Sequence, residues 1–280
     1  MIARSWTLSD DGLIYTFKLR RGVKFHNGKE LTSEDVKASL ERYAKISPER
    51  ITMDLVDRIE IVDPYEIKIV LKHPSPTFLS RLSSPANPSS IIPAEEAMKG
   101  LNKTANIGTG PFKVVEWIPD SHVKLERFDG YVANGDFKRA TGFGGKKTAY
   151  LDSVTFRIVT EASARVAALE AGEIHLAEDI PVPSATRLER NPKVRIHRLN
   201  NFNMPVLFLN HSAAPTNNLK FRQAIQAALD LDQVMAGGTD GLYQLDHSWL
   251  WPGNSFYSEA GKELYDINNA KRAKVLLQAS

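Results

Sequence analysis

The seven histidines, at positions 26, 73, 122, 175, 197, 211 and 247, are the side chains best suited to proton transfer or metal ligation at neutral pH. They lie far apart, with no His-Glu-x-x-His or comparable ligand spacing. No Gly-x-Ser-x-Gly nucleophile elbow exists, and the carboxylates are dispersed at ordinary frequency. Two glycine-rich stretches suggest phosphate cradles at first sight. Asn106-Ile107-Gly108-Thr109-Gly110-Pro111-Phe112 fails because no helix start follows it and no Lys-Ser/Thr closes it. Gly142-Phe143-Gly144-Gly145-Lys146-Lys147-Thr148 matches neither glycine-loop spacing. No catalytic, metal-ligating or cofactor-binding residue is therefore expected, and the chain does not read as an enzyme. What remains is binding chemistry. Trp249 and Trp251 put two of the four tryptophans in one loop, either a stiff aromatic shelf for a ligand or a small satellite core.

Composition narrows the partners. A net charge of +3 from 36 basic and 33 acidic residues, scattered rather than clustered, argues against a nucleic-acid surface. The absence of cysteine excludes disulfides and thiolate metal sites; it fits an oxidising compartment, although cytosolic proteins share it. With 280 residues, 42% hydrophobic and 25% charged, the chain is globular in character and long enough for one large domain or two ordinary ones. No apolar run reaches the 18 residues of a membrane helix, and no signal peptide precedes Ile2.

The elements that must position any site are legible from turns and alternation. Asp11-Gly12 marks a hairpin ahead of alternating Leu13, Tyr15, Phe17 and Leu19, and Asn27-Gly28 marks a second turn. Thr32 reads as an N-cap with Asp35 as a capping-box variant, predicting a helix to about Tyr43. His26, beside a tight turn, reads as a packing or hydrogen-bonding residue. Val56, Ile59 and Ile61 alternate into Asp63-Pro64-Tyr65, then Ile67, Ile69 and Leu71, which predicts another hairpin. Strands are expected over Lys113–Trp117 and His122–Arg127, and β-α-β over Val154–Val159, Ala162–Ala171 and Ile174–Ala177, with Gly172 closing the helix. Val194–Leu199 alternates as a strand, and Met204–Leu209 reads as a strand covered on both faces. Leu219–Leu229 follows as an amphipathic helix. That strand, loop and helix form either a crossing between two lobes or one βα unit of an ordinary core.

Five stretches carry a resemblance. Ser5-Trp6 through Arg42 resembles the "S-W-x-x-S-D-D-G-x-x-Y-T-F-x-L-R-x-G-V-K-F-H-D-G" pattern of the dipeptide/oligopeptide/nickel family of solute-binding proteins of bacterial ABC importers. Gly108-Thr109-Gly110-Pro111-Phe112 is similar to a turn of that family. Leu151-Asp152-Ser153-Val154-Thr155-Phe156-Arg157 and Ala162-Ser163-Ala164-Arg165 through Ala177 resemble two more of its stretches, although an insertion and a missing tryptophan blur the segment before Leu151. Asn210-His211-Ser212, followed by Asn218 through Asp230, resembles its "R-V-R-Q-A-x-x-x-A-x-D" signature.

The resemblance implies an α/β, periplasmic-binding-protein-like fold of type II, with mixed sheets flanked by helices and an extended first lobe. Residues 1–209 would be most of lobe I, with an inserted β-rich subdomain at about 20–160; residues 210–280 would be the hinge crossing and the start of lobe II. It also implies a periplasmic or extracytoplasmic protein that captures a small solute (peptide, opine, oligosaccharide or metal chelate) for an ABC permease, with no cofactor. Members are longer at both ends, so the chain is expected to be a truncated piece, and a fragment with a structural or interaction role is the alternative. In peptide-binding members the acidic partner of the ligand's amine lies beyond the position matching Ser280. Lining candidates are Asn201, Asn203, Met204 and Asn210, whose amides both donate and accept. The plainer reading is that Asn203 and Asn210 satisfy strand-end backbone. Pro85, Ala86 and Asn87, on a segment that runs toward the cleft in the family, join them, as do Trp249 and Trp251.

Overall fold

A computed structural model describes residues 2–48, 50–100, 103–141, 144–199 and 205–280. They fall into two compact units, Met1–Ile158 and Val159–Ser280. The expected crossing after Leu209 lies inside the second.

The first unit opens with β1 (Ala3–Leu8) and β2 (Ile14–Leu19), paired antiparallel with Trp6 opposite Phe17. The turn is built as the Asp-Gly pair requires. Gly12 takes φ 71°, and the Asp11 carboxylate accepts from the Ser9 hydroxyl and the Leu13 amide. After the Asn27-Gly28 turn come α1 (Ser33–Ile46), the single turn α2 (Arg50–Met53), and the hairpin of β3 (Val56–Asp63) with β4 (Glu66–Leu71). The four strands order as β1-β2-β4-β3. Register places Tyr15, Ile69 and Ile59 in one row across β2, β4 and β3. All three are buried, packed with Val36, Leu40 and Tyr43 of α1 and with Phe25, Leu31 and Phe78. A helix laid on one face of an antiparallel sheet makes this core.

Two hydrogen-bonded devices pin the loops to it. Asp35, with no exposed side-chain surface, accepts from the Thr32 amide (2.9 Å), the Ala94 amide (2.8 Å) and Lys29 Nζ (2.7 Å). Ala94 begins α4 (Ala94–Ala97), which follows α3 (Phe78–Leu82). Burial opposes the charge on Lys29, but hydrogen bonds to Asp35 and Glu95 and their attraction outweigh it and hold its pKa above the ordinary value. The second device is His26. Its backbone N–H donates to Gly108 (2.9 Å), Nδ1 accepts from the Gly108 amide (3.2 Å), and Nε2 lies 3.1 Å from the Gly110 carbonyl. The edge of Phe128 closes on the ring at 5.2 Å. The Gly108-Thr109-Gly110 loop is thus a docking segment for a histidine, not a phosphate site.

From that loop run β5 (Phe112–Ile118) and β6 (His122–Arg127). A two-residue pair follows, β7 (Ala140–Thr141) with β8 (Gly144–Gly145), and then β9 (Ser153–Arg157). The last joins the sheet in the order β5-β6-β9. Gly130 fits a tight corner here: a Cβ would meet the Phe128 ring at 2.6 Å.

The second unit is helical among its described residues: α5 (Ala162–Ala171), α6 (Val182–Leu188), α7 (Leu219–Ala228), α8 (Leu231–Gly238), a 3-10 turn at Lys262–Leu264, and α9 (Ala270–Gln278). Gly172 ends α5 at φ 76°, as its position predicts. α8 continues through Gly237 and Gly238. α7 packs against α9, burying Ala224, Ala227 and Ala273. The expected strands at Ile174–Ala177 and Val194–Leu199 do not form, nor does the described part of Met204–Leu209. Their apolar side chains stay in water, with Leu176 74%, Leu199 73% and Phe208 82% exposed. A strand exists only where a neighbour completes its ladder, and the described residues of this unit offer none.

Two outcomes follow for the first unit. Replacing His26 with Ala leaves the Gly108 amide and the Gly110 carbonyl without their partner. It should cost about 2 kcal/mol and lower that unit's thermal transition by several degrees, as followed by circular dichroism. Hydrogen bonds from the Tyr65 hydroxyl and the Gly22 amide hold the Glu30 pKa below its ordinary value. Those from Lys99 and the Ala105 amide do the same for Glu96. Lowered carboxylate pKa values add stability above the unfolded value of about 4.3 and lose it as pH falls through the folded values. The transition temperature should therefore be level at pH 6–7 and decline below about pH 4.3. The E30Q/E96Q double variant should be less stable at pH 6 and decline less steeply in acid.

Candidate functional site

Three of the expected lining residues, Asn201, Asn203 and Met204, lie outside the described residues. The remainder sit on surface segments whose backbone is held from within. In the first unit, α1 anchors the proline-rich loop twice. Tyr43 donates its hydroxyl to the Asn87 carbonyl at 2.9 Å, and the Ser39 hydroxyl both accepts from the Ile92 amide and donates to the Ile92 carbonyl at 3.0 Å. Pro85 and Ala86 are exposed and Asn87 is half-buried. The loop is a fixed surface feature with little polar chemistry of its own.

In the second unit Asn210 belongs to a self-satisfied elbow. Its Oδ1 accepts from the Ser212 amide (2.9 Å) and its carbonyl accepts from the Thr216 hydroxyl (2.6 Å). The Arg222 guanidinium reaches back to the carbonyls of Thr216 and Asn217, and Asn218 caps α7 by accepting from the amides of Lys220 and Phe221. The Asn210 acceptor oxygen is thus engaged within its own elbow.

Trp249 and Trp251 are exposed on a loop braced by successive side-chain turns. Asp246 accepts from the Ser248 amide, Ser248 from the Leu250 amide, and Asn254 from the Phe256 amide. At its centre the His247 side chain, 6% exposed, lies 2.9 Å from the Ser258 carbonyl and 3.5 Å from Asp246. The edges of Tyr257 and Tyr265 close around it. The Tyr257 hydroxyl donates to Glu259, and this bond pushes the phenol up to about 12. The loop so fixed presents Trp249 (69% exposed), Trp251 (50%) and Phe256 (82%) to solvent. They make no satellite core. Phe256 was missed from sequence, although a third aromatic within five residues of Trp251 was a signal.

Among the described residues no group of three His, Cys, Asp or Glu side chains converges as metal ligands do. An open depression beside β6 and β9 holds Arg127, but Asp129 (3.3 Å) and Asp152 (2.8 Å) already neutralise it. No helix among them is long and apolar enough to cross a membrane.

Comparison with known proteins accounts for this pattern of a fixed scaffold with little chemistry of its own. The chain is 33% identical over 236 residues to the glutathione-binding protein GsiB of Escherichia coli (strain K12), a match covering 82% of this chain and 43% of that protein. It is 33% identical over 242 residues to GsiB of Pectobacterium atrosepticum, covering 84% and 44%. Among solved structures, the periplasmic binding protein DppA from Helicobacter pylori in complex with the peptide STSA superimposes with a TM-score of 0.77 at 29% identity, over 100% of this chain and 56% of that one. The binding protein AgaA from A. tumefaciens R10, in complex with agropinic acid, gives 0.75 at 26%, over 99% and 54%. NikA from Brucella suis in complex with Fe(III)-EDTA gives 0.74 at 27%, over 100% and 55%. The chain thus spans about half the length of the relatives it matches, and its fold is periplasmic-binding-protein-like in its mixed α/β content. Its described strand pairs are all antiparallel, where mixed sheets were expected. Residues 1–280 match the middle part of the bacterial extracellular solute-binding proteins, family 5, and the chain belongs to that family.

Proposed function

We propose that this chain is part of the substrate-binding component of an ABC importer, working outside the cytoplasm to capture a small solute and deliver it to a membrane permease. Residues 1–209 belong to the first lobe and 210–280 open the second. One observation carries the reading: the whole chain superimposes on binding proteins solved with a peptide, with agropinic acid and with Fe(III)-EDTA. A single scaffold accepts chemically unlike guests, so its work is to hold and present them. No reaction is assigned to it.

Short peptides, glutathione included, are the first substrate class to test, because the GsiB relatives are glutathione-binding proteins. Opines, oligosaccharides and metal chelates follow. Within the chain the candidate contacts are Trp249, Trp251, Asn201, Asn203, Met204 and Asn210, with Pro85, Ala86 and Asn87. The tryptophans are the strongest, since a stiff aromatic surface gives contact area at small entropic cost.

Thermal-shift titration of the 280-residue chain against glutathione, di- and tripeptides, agropinic acid and Fe(III)-EDTA tests the proposal. A true ligand at a hundredfold excess over its Kd stabilises by about 2.7 kcal/mol. A rise with one class and none with the others supports the reading; no rise with any class contradicts it. For that ligand, W249A/W251A should weaken binding about tenfold, which is ~1.4 kcal/mol, and leave the ligand-free transition within about 1 °C, because exposed side chains contribute little to folding. Unchanged affinity would remove both tryptophans from the site.

A further inference from the structure

Over the whole chain the charges are mixed, yet four cations gather in one place, in the segment before Leu151 where an insertion interrupts the family pattern. The antiparallel pair β7-β8 sets Ala140 opposite Gly145 and Thr141 opposite Gly144. One step out, the Lys146 amide donates to the Arg139 carbonyl at 3.0 Å, so these two residues stand opposite each other. Lys138 and Lys147 flank them in turn. Gly145 permits the arrangement: it takes φ 76°, and a Cβ there would lie 2.5 Å from the Arg139 carbonyl oxygen. Like charges set opposite one another across a strand pair repel. Setting these four cations aside turns the net charge of +3 into −1, so this ribbon carries more than the chain's whole net charge.

The four are unmatched. Among the described residues none of them has an ion pair or a side-chain hydrogen bond, whereas Arg127, Arg187 and Arg198 each hold a carboxylate. The acids nearest in sequence are already engaged, Asp136 with Arg4 at 3.8 Å, and Asp129 and Asp152 with Arg127. Lys138, Arg139 and Lys146 are exposed and Lys147 is half-buried. Just beyond them in the chain, Tyr150 is 87% and Leu151 59% exposed. A cluster of cations attracts a surface of anionic headgroups, and an adjoining aromatic and aliphatic pair suits the boundary between headgroups and acyl chains. A nucleic acid is met by a longer basic stripe with rings for its bases; here the cations end within ten positions, and Leu151 offers no ring. A free anion needs donors converging in a concave site, which an exposed ribbon does not form.

We infer that the ribbon of Lys138, Arg139, Lys146 and Lys147, with Tyr150 and Leu151 beside it, is a docking surface for an anionic lipid bilayer. The cations meet headgroup phosphates and Tyr150 enters the boundary layer, which makes the contact peripheral and sensitive to salt. The inference stands on this ribbon alone and holds whether or not the chain captures a solute, so its test and that of the proposed function fail independently.

Flotation of the 280-residue chain with vesicles tests it. Vesicles of phosphatidylcholine with phosphatidylglycerol should carry the chain at low salt and release it at high salt, and vesicles of phosphatidylcholine alone should carry none. K146Q/K147Q should weaken binding about 25-fold, at about fivefold per cation. K271Q/R272Q removes the same charge from exposed positions on α9 and should change binding less than about twofold. Y150A should weaken binding several-fold and keep the salt dependence. All three variants should keep the parent's thermal transition, since none removes a buried side chain. The inference is overturned if the anionic vesicles do not carry the chain at low salt, or if K146Q/K147Q and K271Q/R272Q weaken binding alike, net charge alone then being responsible. It is equally overturned if Y150A binds as the parent does, the aromatic then never entering a bilayer, or if a DNA duplex binds the chain more tightly than the anionic vesicles do, the partner then being a soluble polyanion.

Discussion

The Asp35 carboxylate is the constraint on which the first unit depends. It has no contact with water, and a buried carboxylate persists only if its oxygens are satisfied. Its partners come from three places: Lys29 from the turn before α1, Thr32 from the helix start, and Ala94 from a segment 59 residues on. Its position in the first helical turn also places negative charge where the helix dipole favours it. With α1 so fixed, Val36, Leu40 and Tyr43 cover the sheet, and Ser39 and Tyr43 hold the 87–92 loop from the same helix. One carboxylate therefore sets the helix, the sheet cover and a surface loop together.

How much was legible in the sequence depended on range. The Asp11-Gly12 turn, the Thr32/Asp35 cap and the hairpin around Pro64 were readable because each is settled by residues within a few positions. His26 was readable as a structural residue, but its partners Gly108 and Gly110 lie 82 and 84 positions away and nothing local announces them. The expected strands at 174–177 and 194–199, and the described part of that at 204–209, failed for the same reason: alternation shows which residues suit a strand, not whether a neighbour exists to complete the ladder. A bulge at Val115 in β5 breaks the period-two pattern that strand reading relies on, and so it hid the shared face of Trp117 and Phe156. Of the candidate site, the tryptophan pair was visible as composition. The bracing of its loop by His247, set between Tyr257 and Tyr265, was not.

Family membership and ligand choice stand on different parts of the chain. The blocks that carry the resemblance are caps, turns and packed strands, such as Asp35, Asp11-Gly12 and Gly108-Thr109-Gly110. The relatives solved with a peptide, with agropinic acid and with Fe(III)-EDTA keep this scaffold at 26–29% identity. Selection of the guest among those relatives must then rest on side chains that the scaffold displays but does not need for folding; exposed aromatic side chains such as Trp249, Trp251 and Phe256 are of that kind.

The most direct test of the account is amide hydrogen exchange on the D35N variant, which keeps the shape of Asp35 and removes its charge. If Asp35 joins three segments, the amides of Thr32, Ala94 and Ile92 should lose protection together, by tenfold or more, while that of Gly108, held by His26, stays as in the parent chain. A change confined to Thr32, with Ala94 and Ile92 unaffected, would show a local cap only and would contradict it.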